Sequence, residues 1–139
     1  MQFTGVLLLL CLTFAEELSA SDSVSWLQHT RIFALGGIGA AGVMSDGERA
    51  LRAVLKQSDA SMSLETLLSH ASQAGQLYAL LGLRLRDRTA YARALHTLPP
   101  RDSQVDTMRG CIVGHESFRE LLRQIDRGMY DPLLSQPAW

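Results

Sequence analysis

The chain has 139 residues, 13 basic against 14 acidic, and 47% of its residues are hydrophobic. That suits one domain with one core and is too short for two. A formal net charge of −1 argues against a nucleic-acid binder, whose affinity comes from a basic excess.

Val6 to Ala15 (VLLLLCLTFA) is an unbroken apolar run, followed by Glu16, Glu17 and the small-residue stretch Leu18-Ser19-Ala20-Ser21. This is the order of h-region and cleavage region in a secretory signal, and the run is about half of the ~20 residues that span a bilayer. The sequence therefore predicts a signal peptide over residues 1–20, cut after Ala15 or after Ala20, and a periplasmic or secreted product without a membrane span. Cys11 follows the bulky Leu10, which disfavours a lipid anchor there. After cleavage only Cys111 remains, so no internal disulfide can form and stability must come from the core. The expectation for that thiol is burial, with pairing to another chain as the alternative.

Five helices follow in chain order. Ser45-Asp46-Gly47-Glu48 reads as a capping box: Ser45 accepts from the N3 amide, Glu48 reaches back, and the helix runs to about Gln57 with Leu51, Val54 and Leu55 on one face. Ser61 or Ser63 starts the next, where Leu64, Leu67, Leu68 and Ala71 follow the helical period. Ser72 caps a helix through Leu85 whose apolar residues cover more than one face, which predicts the central, most buried element. Asp87 caps a helix to about Leu98, ended by Pro99-Pro100. The last runs from about His115 to Arg127, with Phe118, Leu121, Leu122 and Ile125 as its stripe and Gly128 as its stop.

Two segments fall outside this scheme, the Gly-rich Arg31–Val43 and the 16-residue Pro99–Gly114. A loop that long in a compact domain is functional or contains structure of its own. Arg109–Val113 reads as a short strand, and the expected minor element is a two-stranded pairing of 30–35 with 109–113.

Motifs with possible chemistry give way to plainer readings. Gly37-Ile38-Gly39-Ala40-Ala41-Gly42 matches G-x-G-x-x-G, but the helix starts only after Ser45, so a pyrophosphate would not meet a helix N-terminus. No cofactor is expected. His29, His70, His96 and His115 lie on different elements without ligand spacing, and no metal site is expected. Cys111 and His115 could form a nucleophile and base pair only if the fold opposed them. Arg84, Arg86, Arg88 and Arg93 cluster around Asp87 and read as a solvated, partly neutralised face.

Ala74–Asp87 (AGQLYALLGLRLRD) resembles the inner helix of a HEAT or armadillo-type repeat. The chain is also similar to small exported bacterial proteins that carry a Met-Ser-x-Gly-Glu helix start and a Gly-x-Leu-Tyr-Ala-Leu helix, here Met44–Glu48 and Gly75–Leu80. That resemblance implies no particular activity. In size, export signal and helical content the chain is loosely similar to periplasmic immunity proteins against type VI effectors. The expected fold is mostly α, a single-domain antiparallel helical bundle or short HEAT-like stack over 21–134 with a tail at 135–139. The expected function is non-enzymatic binding of a protein partner through Gly36–Ser45 and Pro99–Gly114, with Arg101, Met108 and Arg109 as contacts. The alternatives are a small hydrolase or ligand-binding protein using Cys111 and His115, and a structural subunit of an envelope complex docked through Tyr130–Trp139.

Overall fold

The computed structural model describes residues 19–136. The signal-peptide reading therefore lies outside the described residues apart from Ser19 and Ala20, as does the end of the tail. The described chain is mostly α with minor strands. It runs α1 (Ala20–His29), β1 (Ile32–Phe33), β2 (Gly37–Ile38), β3 (Val43–Met44), α2 (Asp46–Leu55), α3 (Ala60–His70), α4 (Gln73–Arg86), α5 (Arg88–Thr97), β4 (Gln104–Arg109), β5 (Ile112–Ser117), α6 (Phe118–Asp126) and α7 (Asp131–Ser135). No described helix is long and apolar enough to cross a membrane.

α4 is the axis of the molecule, as its all-round apolar pattern predicts: every residue from Ala74 to Leu83 is buried. α1, α2, α3, α5 and α6 all pack on it, and so does the sheet. Small residues set the distances. A Cβ on Gly75 would lie 2.1 Å from the Leu27 carbonyl oxygen, so α1 and α4 approach as closely as backbone allows. Each Leu that α4 buries is worth about 1.5–3 kcal/mol relative to exposure.

Three of the expected caps form. Ser45 accepts from the Glu48 amide, Ser72 from the Gly75 amide and Asp87 from the Ala90 amide. Gly128 takes φ +74, and the Gly128 and Met129 amides bond to the Ile125 and Gln124 carbonyls, which closes α6 as a Schellman motif. α3 differs: it starts at Ala60 after Asp59, whose side chain makes no capping bond. α1 and α7 are additions to the five helices read from sequence.

The strands correct four expectations. β1 does pair, but in parallel with β4 (Ile32↔Asp106, Phe33↔Thr107), not with 109–113. β4 and β5 form an antiparallel hairpin from Gln104↔Ser117 to Arg109↔Ile112, and Gly110-Cys111 is its turn. Gly110 at φ +55 supplies the positive φ that the first turn position of a type II′ hairpin needs. His115 consequently sits on β5, and α6 begins only at Phe118, capped by Ser117. Cys111, in the turn, is exposed rather than buried.

Candidate interaction surface

The two sequence motifs, Met44–Glu48 and Gly75–Leu80, meet in the interior around Ala34. Tyr78 donates to the Ala34 carbonyl at 2.9 Å and accepts from the Ala34 amide at 2.9 Å, while Ser45 donates to the same carbonyl at 2.6 Å. Gly47 has to be glycine here, because its Cβ would lie 2.2 Å from the Tyr78 hydroxyl oxygen. Glu48, 3% exposed, does not reach back along its own helix as the capping box suggests. Its carboxylate accepts from the Gly36 amide at 2.8 Å and from Arg52 at 2.8 and 2.9 Å. Arg52 in turn donates to the Leu133 and Gln136 carbonyls and so caps α7. Every member of this junction is paired, as buried polar groups must be. Burial pushes the Tyr78 hydroxyl up to about 12 and keeps it a donor.

The junction fixes the ends of the Gly-rich segment, and the segment itself folds outward as the β2–β3 hairpin (Gly37↔Met44, Ile38↔Val43). Its Gly39 amide donates to the Gly110 carbonyl at 2.8 Å, and Ile38 bridges Gly110. The two irregular segments, far apart in sequence, therefore form one end of the molecule. That end is apolar and wet: Val43 is 56% exposed, Ile112 75% and Val113 64%. Strand spacing of about 4.8 Å places Val43 roughly 10 Å from Gly110. Cys111 joins them in the turn.

Of the expected contacts, Met108 and Arg109 lie on β4 beside this end, and Arg101 lies at the other end of that strand. Arg101 bonds to Gln76 at 2.6 Å and stacks 5.8 Å over the Phe118 ring. Arg109 donates to Glu116 at 2.9 Å and Gln124 at 3.0 Å. Tyr130 donates to the same Gln124 oxygen at 2.6 Å, its hydroxyl pushed up to about 12 by burial. Met108, Arg109 and Tyr130 border a cleft of about 170 Å³ under the sheet, walled by Phe33, Leu35, Leu121 and Leu133.

Cys111 and His115 are not brought together. Three residues of hairpin lie between them, and the four steps along the chain span roughly 13 Å at strand rise, against the ~3 Å that proton transfer between them requires. His115 Nδ1 instead lies 2.7 Å from Asp106 Oδ1 on the open face of the sheet. Among the described residues no group of three or more His, Cys, Asp or Glu side chains is placed to hold a metal. Of the arginine cluster, Arg84 pairs with Asp131 and Arg93 with Glu65, while Asp87 caps α5.

Sequence reasoning had no sight of the Glu48–Arg52–α7 connection or of the cleft, since both are built from residues that meet only in the fold. α7 does carry a readable signal, Asp131-Pro132 at a helix start. No protein-family model matches this chain, and no curated protein or solved structure shows significant similarity to it.

Proposed function

We propose that this is an exported, non-enzymatic protein-binding module, immunity- or inhibitor-like in kind, whose contact surface is the end formed by the β2–β3 hairpin and the tip of the β4–β5 hairpin. The observation that carries this reading is the union of the two irregular segments through the Gly39–Gly110 bond, with Val43, Ile112 and Val113 left in water around it. Scattered exposed apolar residues need no explanation, but here they sit at the tips of two joined hairpins, with Ile112 and Val113 on opposite faces of β5, which suits a tip that inserts into a partner. A helical stack centred on α4 supplies a rigid base, and the hairpins supply the contacts. Met108 and Arg109 extend the surface along β4. Arg101, tied to Gln76 and Phe118 at the far end of the strand, has a structural role in this reading.

The test compares tagged wild-type protein with a V43S/I112S/V113S variant in a pull-down from the extracytoplasmic fraction, followed by affinity measurement with each purified candidate. A partner held by the wild type and weakened at least tenfold by the variant supports the reading. Equal affinity for both proteins removes it.

A further inference from the structure

The three-stranded sheet has two edges, and they are treated differently. Its order is β1-β4-β5. The β1 edge is blunted: the strand is two residues long, and the next residue, Ala34, has its amide taken by Tyr78 and its carbonyl by Tyr78 and Ser45. β5 is six residues long and none of them is buried. It carries none of the devices that keep an edge from pairing, neither proline nor lysine nor a bulge, since Ile112 to Ser117 match β4 one to one. Its titratable side chains are turned back onto the molecule: His115 lies 2.7 Å from Asp106, and Glu116 accepts from Arg109 and Gln124 at 2.9 Å.

Ladder geometry identifies the free backbone groups. Along an antiparallel pair, hydrogen-bonded and non-bonded residue pairs alternate. The two-residue turn makes Arg109–Ile112 a bonded pair, so Gly114 and Glu116 also bond to β4. The Phe118 amide, which donates to the Ser103 carbonyl at 2.9 Å, keeps the same alternation. The amides and carbonyls of Val113 and His115 therefore point away from β4, at the open edge.

The same strand turned by a two-fold axis matches these groups. With two copies antiparallel about Gly114, Val113 of each copy faces His115 of the other, and each such pair exchanges both of its hydrogen bonds. Non-bonded pairs approach most closely, about 4.5 Å between Cα atoms, and the pair on the axis is Gly114 against Gly114, with no side chain to hold the strands apart. No like charges are opposed in this register, where Glu116 stands beside Ile112 of the second copy. Centring the axis on His115 would set two imidazoles face to face, and centring it on Val113 would require the turn residue Cys111 to pair. A formal net charge of −1 adds little repulsion between copies.

We propose that the chain self-associates as a two-fold dimer through β5, its two sheets joined into one continuous sheet about an axis at Gly114. The dimer does not depend on the partner surface above, which uses the hairpin tips. One short strand pair buries less than the ~1,200 Å² of a stable interface, so the dimer is weak, with a Kd on the order of 100 µM.

The test is sedimentation equilibrium of the protein as isolated from the cell, from about 10 µM to about 1 mM, with reductant present so that Cys111 cannot link copies. Amide hydrogen exchange is followed at both ends of that range. The mass is expected to rise from monomer towards dimer. Exchange at Val113 and His115 slows only at the high concentration, whereas Ile112, Gly114 and Glu116, bonded to β4, are protected throughout. Val113→Pro deletes one outward donor at a position where an edge strand tolerates proline, and weakens the dimer at least about tenfold. Val113→Lys places a charge on the edge, does the same, and serves where the proline variant fails to fold. A monomer at 1 mM, a dimer that a folded variant leaves intact, or a dimer whose Val113 and His115 amides exchange as fast as in the monomer overturns the proposal. So does a chain whose Val113 and His115 amides slow only when a captured partner is bound, which would give the edge to a foreign strand.

Discussion

The buried junction around Ala34 and the hairpin end beside it use opposite residue chemistry within a few residues of one another. In the junction, polar side chains are enclosed and every one is paired: Tyr78 and Ser45 on Ala34, Glu48 on Gly36 and Arg52. At the hairpin end, apolar side chains stand in water and nothing described covers them. The contrast separates what holds the fold from what the fold is free to offer. Substitutions in the junction should cost stability, whereas substitutions at the end should cost almost none.

The largest expected effect is at Glu48. Glu48→Ala leaves Arg52, with 15% of its side chain exposed, and the Gly36 amide without their partner, and unfolding by urea should show a loss of about 3–5 kcal/mol. Gly47→Ala forces a methyl into the Tyr78 hydroxyl and should cost about 1–3 kcal/mol, or more if α2 cannot shift. Tyr78→Phe removes both bonds to Ala34 and leaves its amide buried and unpaired, a loss of about 1–3 kcal/mol.

Tyr78 also gives the junction a pH signature. Its folded value of about 12 lies above the ordinary 10.0 because burial disfavours the phenolate. The stabilisation this represents is complete below pH 10 and is lost as pH rises through about 12. Two units correspond to an order of 2–3 kcal/mol. Melting curves across that window should fall steeply for the wild type, and less steeply for Tyr78→Phe; Tyr130, raised in the same direction, accounts for part of the remainder.

Smaller effects belong to the surface. The pair His115–Asp106 has 66% and 50% of its side chains exposed, so Asp106→Asn should change stability by less than about 0.5 kcal/mol. A larger change would mean that the open face of the sheet carries more of the fold than the contrast allows.

Local signals in the sequence revealed the helices well, and long-range pairing poorly. Ser45, Ser72, Asp87 and Gly128 announce helix ends because a cap acts within four residues. α4 declares its central place because its apolar residues leave no polar face. The β4–β5 hairpin was hidden for a physical reason: with only Val105 and Thr107 buried along β4, the period-2 signal is short and largely polar. Gly110-Cys111, read as strand, is the turn. The contact segments Gly36–Ser45 and Pro99–Gly114 stood out as irregular, but their union through Gly39 and Gly110 is a tertiary fact. Met108 and Arg109 could be picked from that segment, while the cleft they border could not, because Leu121 and Leu133 reach it from elements well downstream.

The measurement closest to the central claim is the paired stability and affinity of V43S/I112S/V113S. These side chains are 56%, 75% and 64% exposed, so the melting temperature should stay within about 4 °C of wild type, while affinity for the captured partner falls at least tenfold. A drop of more than about 10 °C, or a partner bound as tightly as before, would contradict the account.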